Sequence, residues 1–372
     1  MGETAIARVA AFGLEDPSGG RPIRPAEQDW PAFLGATVRH RLSGLAMVAI
    51  EHGALTLRAD QRDQLLERHR DAMLCALALE RNLLTLASAF EDAEIRFAVL
   101  KGPAVAHVGY PDPSWRPFGD IDVLVGAGRF GAACEVLSDL GYRRSFVDPR
   151  PGFAARFGKG AAHVGADGLE VDLHRLLADG PFGYWVDHDT ILRATTSFEL
   201  AGRRLARLDD SAILLHACMH AVLGGRRPTL LQLRDVAQLS RREGVRWSVL
   251  AAWAARWRLQ AVLGRALDLV EQGLGLVLPE EARKLRRSLR PSTQEERALR
   301  ACVQARLGGA RALASVRALP GVRAKAAYAS ALVFPDREFL EARTGSAGLT
   351  GYIERWVHAA RMADRSASVI KR

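Results

Sequence analysis

The chain has 372 residues, 48% hydrophobic and 25% charged, enough apolar material to bury cores in more than one domain. Its four cysteines, Cys75, Cys134, Cys218 and Cys302, are scattered without a CxxC pair or a Cys/His cluster at zinc spacing, which argues against a disulfide framework and a structural zinc. Lys and Arg number 52 against 42 Asp and Glu, a net charge of +10 that is densest from Arg283 to Lys325 and reads as solvated helix faces before it reads as a nucleic-acid surface.

No basic, apolar and small-residue succession marks the N-terminus as a targeting signal, and no apolar run approaches the length of a membrane span. A cytoplasmic protein is the expectation. Residues 1–28, with Gly13, Pro17, Gly19, Gly20, Pro22 and Pro25, read as a flexible leader. From Trp30 to about Phe90 apolar residues recur at helical spacing, most clearly at Leu79, Leu83, Leu86 and Phe90, so residues 29–92 are expected to form two or three helices.

A mixed region follows. Ile95 to Leu100 has strand composition, Gly102-Pro103 breaks it and opens a short helix, and a loop with Pro111, Pro113 and Pro117 leads to a strand from Asp120 to Val125. Residues 129–140 return to helical period, Gly141-Tyr142 ends that helix, and two strands are expected at about 160–166 and 169–174 around the turn Ala166-Asp167-Gly168. Residues 93–182 thus form a small α/β unit of common domain size. Beyond about residue 185 the pattern reads as helical, with Asp209-Asp210-Ser211 as a cap, a helix at Leu230 to Ser240 and another from Trp247 to Gly273. Residues 183–364 are expected as a helical substrate-binding domain and 365–372 as a frayed tail.

Asp120 and Asp122 lie in the otherwise apolar run DIDVLV. Residues two apart on a strand share a face, so both carboxylates look the same way and repel unless a cation lies between them. Oxygen ligands on a rigid strand suit Mg²⁺, which takes one or two carboxylates plus substrate phosphates. Phosphoryl or nucleotidyl transfer on two metals calls for a third acidic group on a neighbouring strand. Asp172 in LEVDLH fills that place, with Glu170 and His174 on the same face as rivals for the third-ligand role or as partners behind it.

The order LKG, then Arg116 ahead of GDIDVLV, then VDLH about fifty residues on, resembles the nucleotidyltransferase superfamily that shares the DNA polymerase β fold. More narrowly it resembles the bacterial group of uncharacterised nucleotidyltransferases, from about Glu80 to Trp356 and including FPDREFLEAR and YIERW. The resemblance implies a small mixed-sheet core flanked by helices, an α/β (α+β) fold. It places Gly102 in the turn after the first strand, Asp120 and Asp122 as paired metal ligands and Asp172 as the third. It also implies Mg²⁺-dependent transfer, on two ions with Mn²⁺ as a substitute, of a nucleoside monophosphate from a nucleoside triphosphate to an acceptor hydroxyl or phosphate, with pyrophosphate released. The superfamily turn carries Gly-Gly or Gly-Ser, whereas this chain has Lys101-Gly102-Pro103. Lys101 is then expected to meet the phosphates as a point charge and Arg116 as a bidentate fork.

His216 and His220 are four apart, and Asp235 lies in the next helix. Without a Glu between the histidines or a matching third ligand, packing between helices outweighs a metal site. The resembled group carries a similar His and Asp, which puts His220 and Asp235 on the cleft facing the catalytic unit. Gly224-Gly225-Arg226-Arg227 follows, either a phosphate contact or a solvated loop. A small-molecule or peptide acceptor is expected over nucleic acid, because the basic residues are scattered and no aromatic-studded platform is visible. Two rival readings stand beside this one: a degenerate nucleotidyltransferase fold that binds RNA or protein, and a metal-dependent transferase using a nucleotide-activated donor.

Overall fold

The computed structural model describes residues 2–14, 21–225, 227–303, 308–345 and 352. Seven strands form one mixed sheet: β1 (Phe97–Val99), β2 (Asp120–Val125), β3 (Arg143–Arg144), β4 (Gly160–Val164), β5 (Glu170–His174), β6 (Thr195–Leu200) and β7 (Arg203–Leu208). Their spatial order is β3-β4-β5-β2-β1-β7-β6, so β2 is the central strand. That position explains its composition, because Ile121 through Val125 are all buried and a strand covered on both faces needs an apolar run. β2 lies antiparallel to β1 and parallel to β5, and β4 and β5 pair antiparallel.

The α/β architecture expected from the sequence is present, with strands and the helices Pro103–Gly109 and Phe130–Asp139 close to their expected places. Two expectations are corrected. The segment read as a loose leader contains a helix, Gly2–Ala11, whose Val9 and Ala10 are completely buried. Residues 195–208, read as part of a helical run, form the β6–β7 hairpin, which joins the sheet through β7 alongside β1. Phe198, Leu200, Leu205 and Leu208 are buried there while Thr196, Ser197, Glu199 and Arg204 are exposed, and Gly202 at φ +79° makes the turn. The alternation is period two in β6 and is interrupted in β7 by the buried Arg207, which blurs the strand pattern.

Within residues 29–92 three α-helices precede the sheet, as expected there: Trp30–Arg39, Ser43–Glu51 and the 34-residue Ala59–Asp92. The last is long and apolar enough over an 18-residue window to cross a membrane by length and composition alone, against the expectation that no apolar run approaches that length, and a third of that window is buried. Leu79, Leu83, Leu86 and Phe90 form its buried stripe against the core.

After the sheet, helices Asp210–Leu223, Leu230–Leu239 and Gln260–Leu274 pack on one another. Asp209 caps the first by accepting from the Ala212 N–H at 2.8 Å. Thr229 and Gln232 form a capping box on the second. The helix expected from Trp247 to Gly273 is broken into Trp247–Arg256 and Gln260–Leu274. Five further helices run from Glu280 to Thr344, and Phe157, Leu319 and Tyr328 form a small second core. The tail expected at 365–372 lies outside the described residues.

Candidate active site

The parallel register of β2 and β5 sets Asp122 directly beside Asp172, Asp120 beside Glu170 and Leu124 beside His174. Period two then puts Asp120, Asp122, Glu170, Asp172 and His174 on one face of two adjacent strands. Asp122, Asp172 and His174 each offer a ligand atom within 4.8 Å of the others, and Asp120 is not in that group. Asp122 is fully buried, the Asp172 side chain is 18% exposed and the Asp120 side chain 33% exposed.

Three cationic groups hold this cluster together. Lys101 Nζ lies 2.7 Å from Asp122 Oδ1, and Lys159 Nζ lies 2.7 Å from Asp172 Oδ2. Between them His174 Nε2 reaches Asp122 Oδ1 at 2.9 Å and Asp172 Oδ2 at 3.0 Å, while its Nδ1 faces the Leu176 carbonyl at 3.3 Å. A carbonyl requires a proton on Nδ1 and two carboxylates favour one on Nε2, so the arrangement is that of an imidazolium. Burial works against the charged form of His174, and so does Lys159, yet Asp172 and Asp122 outweigh them and raise its pKa. Burial likewise opposes ionisation of Asp122, but Lys101 and His174 prevail and hold it well below the usual carboxylate range. Asp172 is also lowered, against burial, by His174 and then Lys159. Asp120 and Glu170 go the other way: burial raises both, and the neighbouring carboxylates add to it.

The donor set fits a divalent cation. Asp122 Oδ2 is buried and has no hydrogen-bond partner, an acceptor left open next to Asp172. Its carboxylate neighbours suit Mg²⁺ or Mn²⁺, whereas a third bond from His174 Nε2 would add a softer donor that favours other transition metals. With Nδ1–H fixed on a backbone carbonyl, Nε2 is the nitrogen turned to the site in either case.

Gly102 follows Lys101 at φ +51°, the N-terminal boundary of helix Pro103–Gly109, and a Cβ there would come within 3.1 Å of the Asp120 carbonyl. Arg116 is not free to act as a phosphate fork. It is buried, and its Nε and Nη2 donate to the two carboxylate oxygens of Asp235 at 2.9 and 2.7 Å. Its Nη1 lies 3.4 Å from the Gly102 carbonyl. A guanidinium taken out of water needs a paired carboxylate, and Asp235, buried and also bound to the Tyr110 hydroxyl at 2.8 Å, is that partner. Asp235, through Arg116, thus links helix Leu230–Leu239 to the turn at Gly102.

His216 and His220 do pack between helices, with ring centroids 6.3 Å apart, and His220 meets the Gln232 amide. His216 lies edge-on to His174 at 6.4 Å, so the two continue a row of imidazoles away from the carboxylates. Burial, and after it Lys101, pushes His216 down to about 3 and His220 well below its usual value, so both are neutral. Arg226 lies outside the described residues, and Arg227 is exposed.

Sequence reasoning missed Lys159 and Arg41. Lys159 lies between Gly158 and Gly160, and the second glycine is the usable signal, since a Cβ at 160 would fall 1.9 Å from the Leu173 carbonyl. Arg41 Nη1 approaches Asp120 Oδ1 at 3.7 Å from a turn between two N-terminal helices, a distance in sequence that no local pattern spans. A groove of about 830 Å³ lies elsewhere, at the end of the sheet marked by Phe97 and Gly126, and includes none of the carboxylates of the cluster.

Residues 26–275 match a family described as uncharacterised nucleotidyltransferase, about two thirds of the chain and the whole of the carboxylate cluster. The chain belongs to this family. No curated protein matches it by sequence. Among solved structures it is similar to the antibiotic-resistance factor ANT(2'')-Ia, at 17% identity over 54% of this chain and 99% of that one, with a TM-score of 0.33. It is also similar to the lincosamide antibiotic adenylyltransferase LnuA, at 15% identity over 43% of this chain and 96% of that one, TM-score 0.31. A third similarity, to an antigenic nucleotidyltransferase-like protein from Paracoccidioides brasiliensis, has 14% identity over 50% of this chain and 91% of that one, TM-score 0.30. Nothing about substrates follows from overlaps of this extent.

Proposed function

We propose that this nucleotidyltransferase-family chain transfers a nucleoside monophosphate from a nucleoside triphosphate to an acceptor hydroxyl or phosphate, using divalent cations at Asp122, Asp172 and Asp120. The observation that carries the reading is the register pairing of Asp122 with Asp172 on parallel strands, with Asp122 Oδ2 buried and unpartnered. Lys101, Lys159 and His174 balance much of the cluster's charge, but the buried Asp122 Oδ2 is left as an acceptor that a bound cation would complete.

In this reading the acceptor oxygen forms a bond to the α-phosphorus, the bond to the β-phosphate breaks, and pyrophosphate leaves. Bound at the carboxylates, Mg²⁺ would make the acceptor hydroxyl a better nucleophile and neutralise charge on the triphosphate. The chain's own residues orient and screen. Lys101, 14% exposed beside Asp122, is placed to contact phosphate oxygens once the carboxylates have another cation. Gly102 lets the backbone pass close to the start of β2, and His174, fixed by the Leu176 carbonyl, keeps the two carboxylates in register. Asp120, the most accessible of the three aspartates, has the exposed Arg41 guanidinium 3.7 Å away. A small molecule or a peptide is the acceptor class we favour, on the scattered distribution of basic residues.

The test is calorimetric titration of the four nucleoside triphosphates, as non-hydrolysable analogues with Mg²⁺, into the wild type and an Asp120→Asn/Asp122→Asn double variant. Mg²⁺-dependent binding of a nucleotide that the variant abolishes is the expected result. Equal binding by both proteins would sink the catalytic reading and leave a binding module.

A further inference from the structure

Lys159 lies inside the stretch that the family match covers, on a segment braced from outside it. Its backbone is fixed on both sides: its N–H donates to Asp179 Oδ1 at 3.0 Å, and its carbonyl accepts from the N–H groups of Arg175 and Leu176 at 2.8 and 2.9 Å. The residues just before it are held by helices that lie beyond residue 275, outside the matched stretch. The Tyr328 ring, in helix Gly321–Val333, meets Phe153 at 5.5 Å and Phe157 edge-on at 5.4 Å. The Asp336 N–H donates to the Pro149 carbonyl at 2.7 Å, and Arg150 Nε donates to the Phe334 carbonyl at 2.8 Å. Arg311, in helix Gly308–Ala318, pairs with the same Asp179 at 3.2 Å, although both side chains are too exposed for that pair to contribute much. Apolar packing of the aromatic rings does most of the holding.

Lys101 and Lys159 approach the carboxylates from opposite flanks of the β5–β2 pair, one following β1 and the other preceding β4. Each pairs with one carboxylate oxygen at 2.7 Å. Lys159 is the more exposed, at 28% against 14%, and its flexible stem allows the ammonium to swing from Asp172 to a phosphate.

We infer that Lys159 is a phosphate-binding residue of this site, and that the C-terminal helices outside the shared segment hold it there. The inference rests on the nucleotide reading given above and adds to it a contact on the second flank, from a segment braced by helices beyond residue 275. The bland rival is that Lys159 only neutralises Asp172.

Two readouts separate these. Mn²⁺ binding alone, followed by proton relaxation, reports the carboxylates; binding of a non-hydrolysable nucleoside triphosphate with Mg²⁺ reports the phosphates. Lys159→Met is expected to weaken triphosphate binding about tenfold, the loss of one charge-assisted hydrogen bond, and to leave Mn²⁺ binding unchanged or tighter. Lys159→Arg is expected to restore most of the triphosphate affinity. Tyr328→Leu, checked for folding by circular dichroism, should weaken triphosphate binding about threefold with Mn²⁺ binding unchanged, because it loosens the segment and not the carboxylates. Triphosphate binding by Lys159→Met equal to wild type overturns the inference while the nucleotide reading stands, and unchanged binding by Tyr328→Leu overturns the C-terminal support. A wild type that binds Mn²⁺ but no triphosphate overturns both readings.

Discussion

Arg116 and Asp235, 119 residues apart in the chain, meet as a buried two-point pair with donor–acceptor distances of 2.9 and 2.7 Å. The pair joins the loop ahead of β2 to helix Leu230–Leu239, and Tyr110 closes the group at 2.8 Å. Burial and the adjacent Asp235 raise the Tyr110 phenol well above its usual pKa, so it is a permanent donor. Removing one partner of such a pair leaves the other charge buried and alone. Asp235→Ala is therefore expected to destabilise the fold by about 3–5 kcal/mol in urea unfolding. A loss under about 1 kcal/mol would mean that the fork is solvated and free, which would return Arg116 to the phosphates.

The three aspartates are not equivalent, and their single Asn variants rank accordingly. Asp122 is buried with an open oxygen and Asp172 is its direct neighbour, whereas Asp120 stands outside the tight group and is a third exposed. Mn²⁺ affinity is expected to fall about a hundredfold in Asp122→Asn and Asp172→Asn and about tenfold in Asp120→Asn, since each lost carboxylate ligand removes a full charge from the donor set. Equal losses at all three positions would show that Asp120 swings in as a full ligand.

How far the site was legible follows from which physical signals are local. Asp120, Asp122 and Asp172 were readable because strand alternation is a property of neighbouring residues, and parallel pairing of two such strands brings the marked faces together. Gly102 was readable for the same reason, as a turn that only glycine makes at positive φ. The partners of these residues were not. Arg116 was assigned to phosphate on its chemistry, but the burial that turns it to Asp235 depends on a helix more than a hundred residues away. Lys159 and Arg41 reach the carboxylates from the β4 flank of the sheet and from the N-terminal helices, contacts set by packing alone. In the fold, the β6–β7 hairpin was hidden because the arginines of RRLARL, one of them buried in the strand, interrupt the apolar alternation that marks a strand.

Stability should fall in mild acid, partly through His216. Burial, followed by Lys101 and His174, depresses its pKa from 6.5 to about 3 in the folded chain. The unfolded chain takes up the proton near 6.5 and the folded chain does not, so the contribution of the neutral ring is complete above that value and is lost as pH falls toward 3. Between about pH 7.5 and about pH 5 the expected loss from this residue is about 2 kcal/mol. Urea unfolding of wild type and His216→Leu at both pH values isolates it, because His188 and His220, also depressed, titrate in both proteins. The variant should show the flatter dependence, and parallel profiles would mean that the ring is solvated.

Gly160 tests the packing that brings Lys159 to Asp172. It pairs with His174 at the start of β4, and its φ is unremarkable, so nothing about its backbone conformation demands glycine. What demands it is space: an added Cβ would fall 1.9 Å from the Leu173 carbonyl oxygen and 2.9 Å from the His174 Cα, both backbone atoms of the strand that carries Asp172. Neither can rotate away, so β4 must move off β5. Gly160→Ala is expected to cost about 3 kcal/mol, at the upper end of overpacking, and to lower Mn²⁺ affinity as Asp172 and His174 shift. Gly128→Ala is the control, with no atom within 4 Å of its added Cβ, and should be neutral or slightly stabilising. If the two substitutions cost the same, β4 and β5 are not in the close register described, and the approach of Lys159 to Asp172 loses its structural basis.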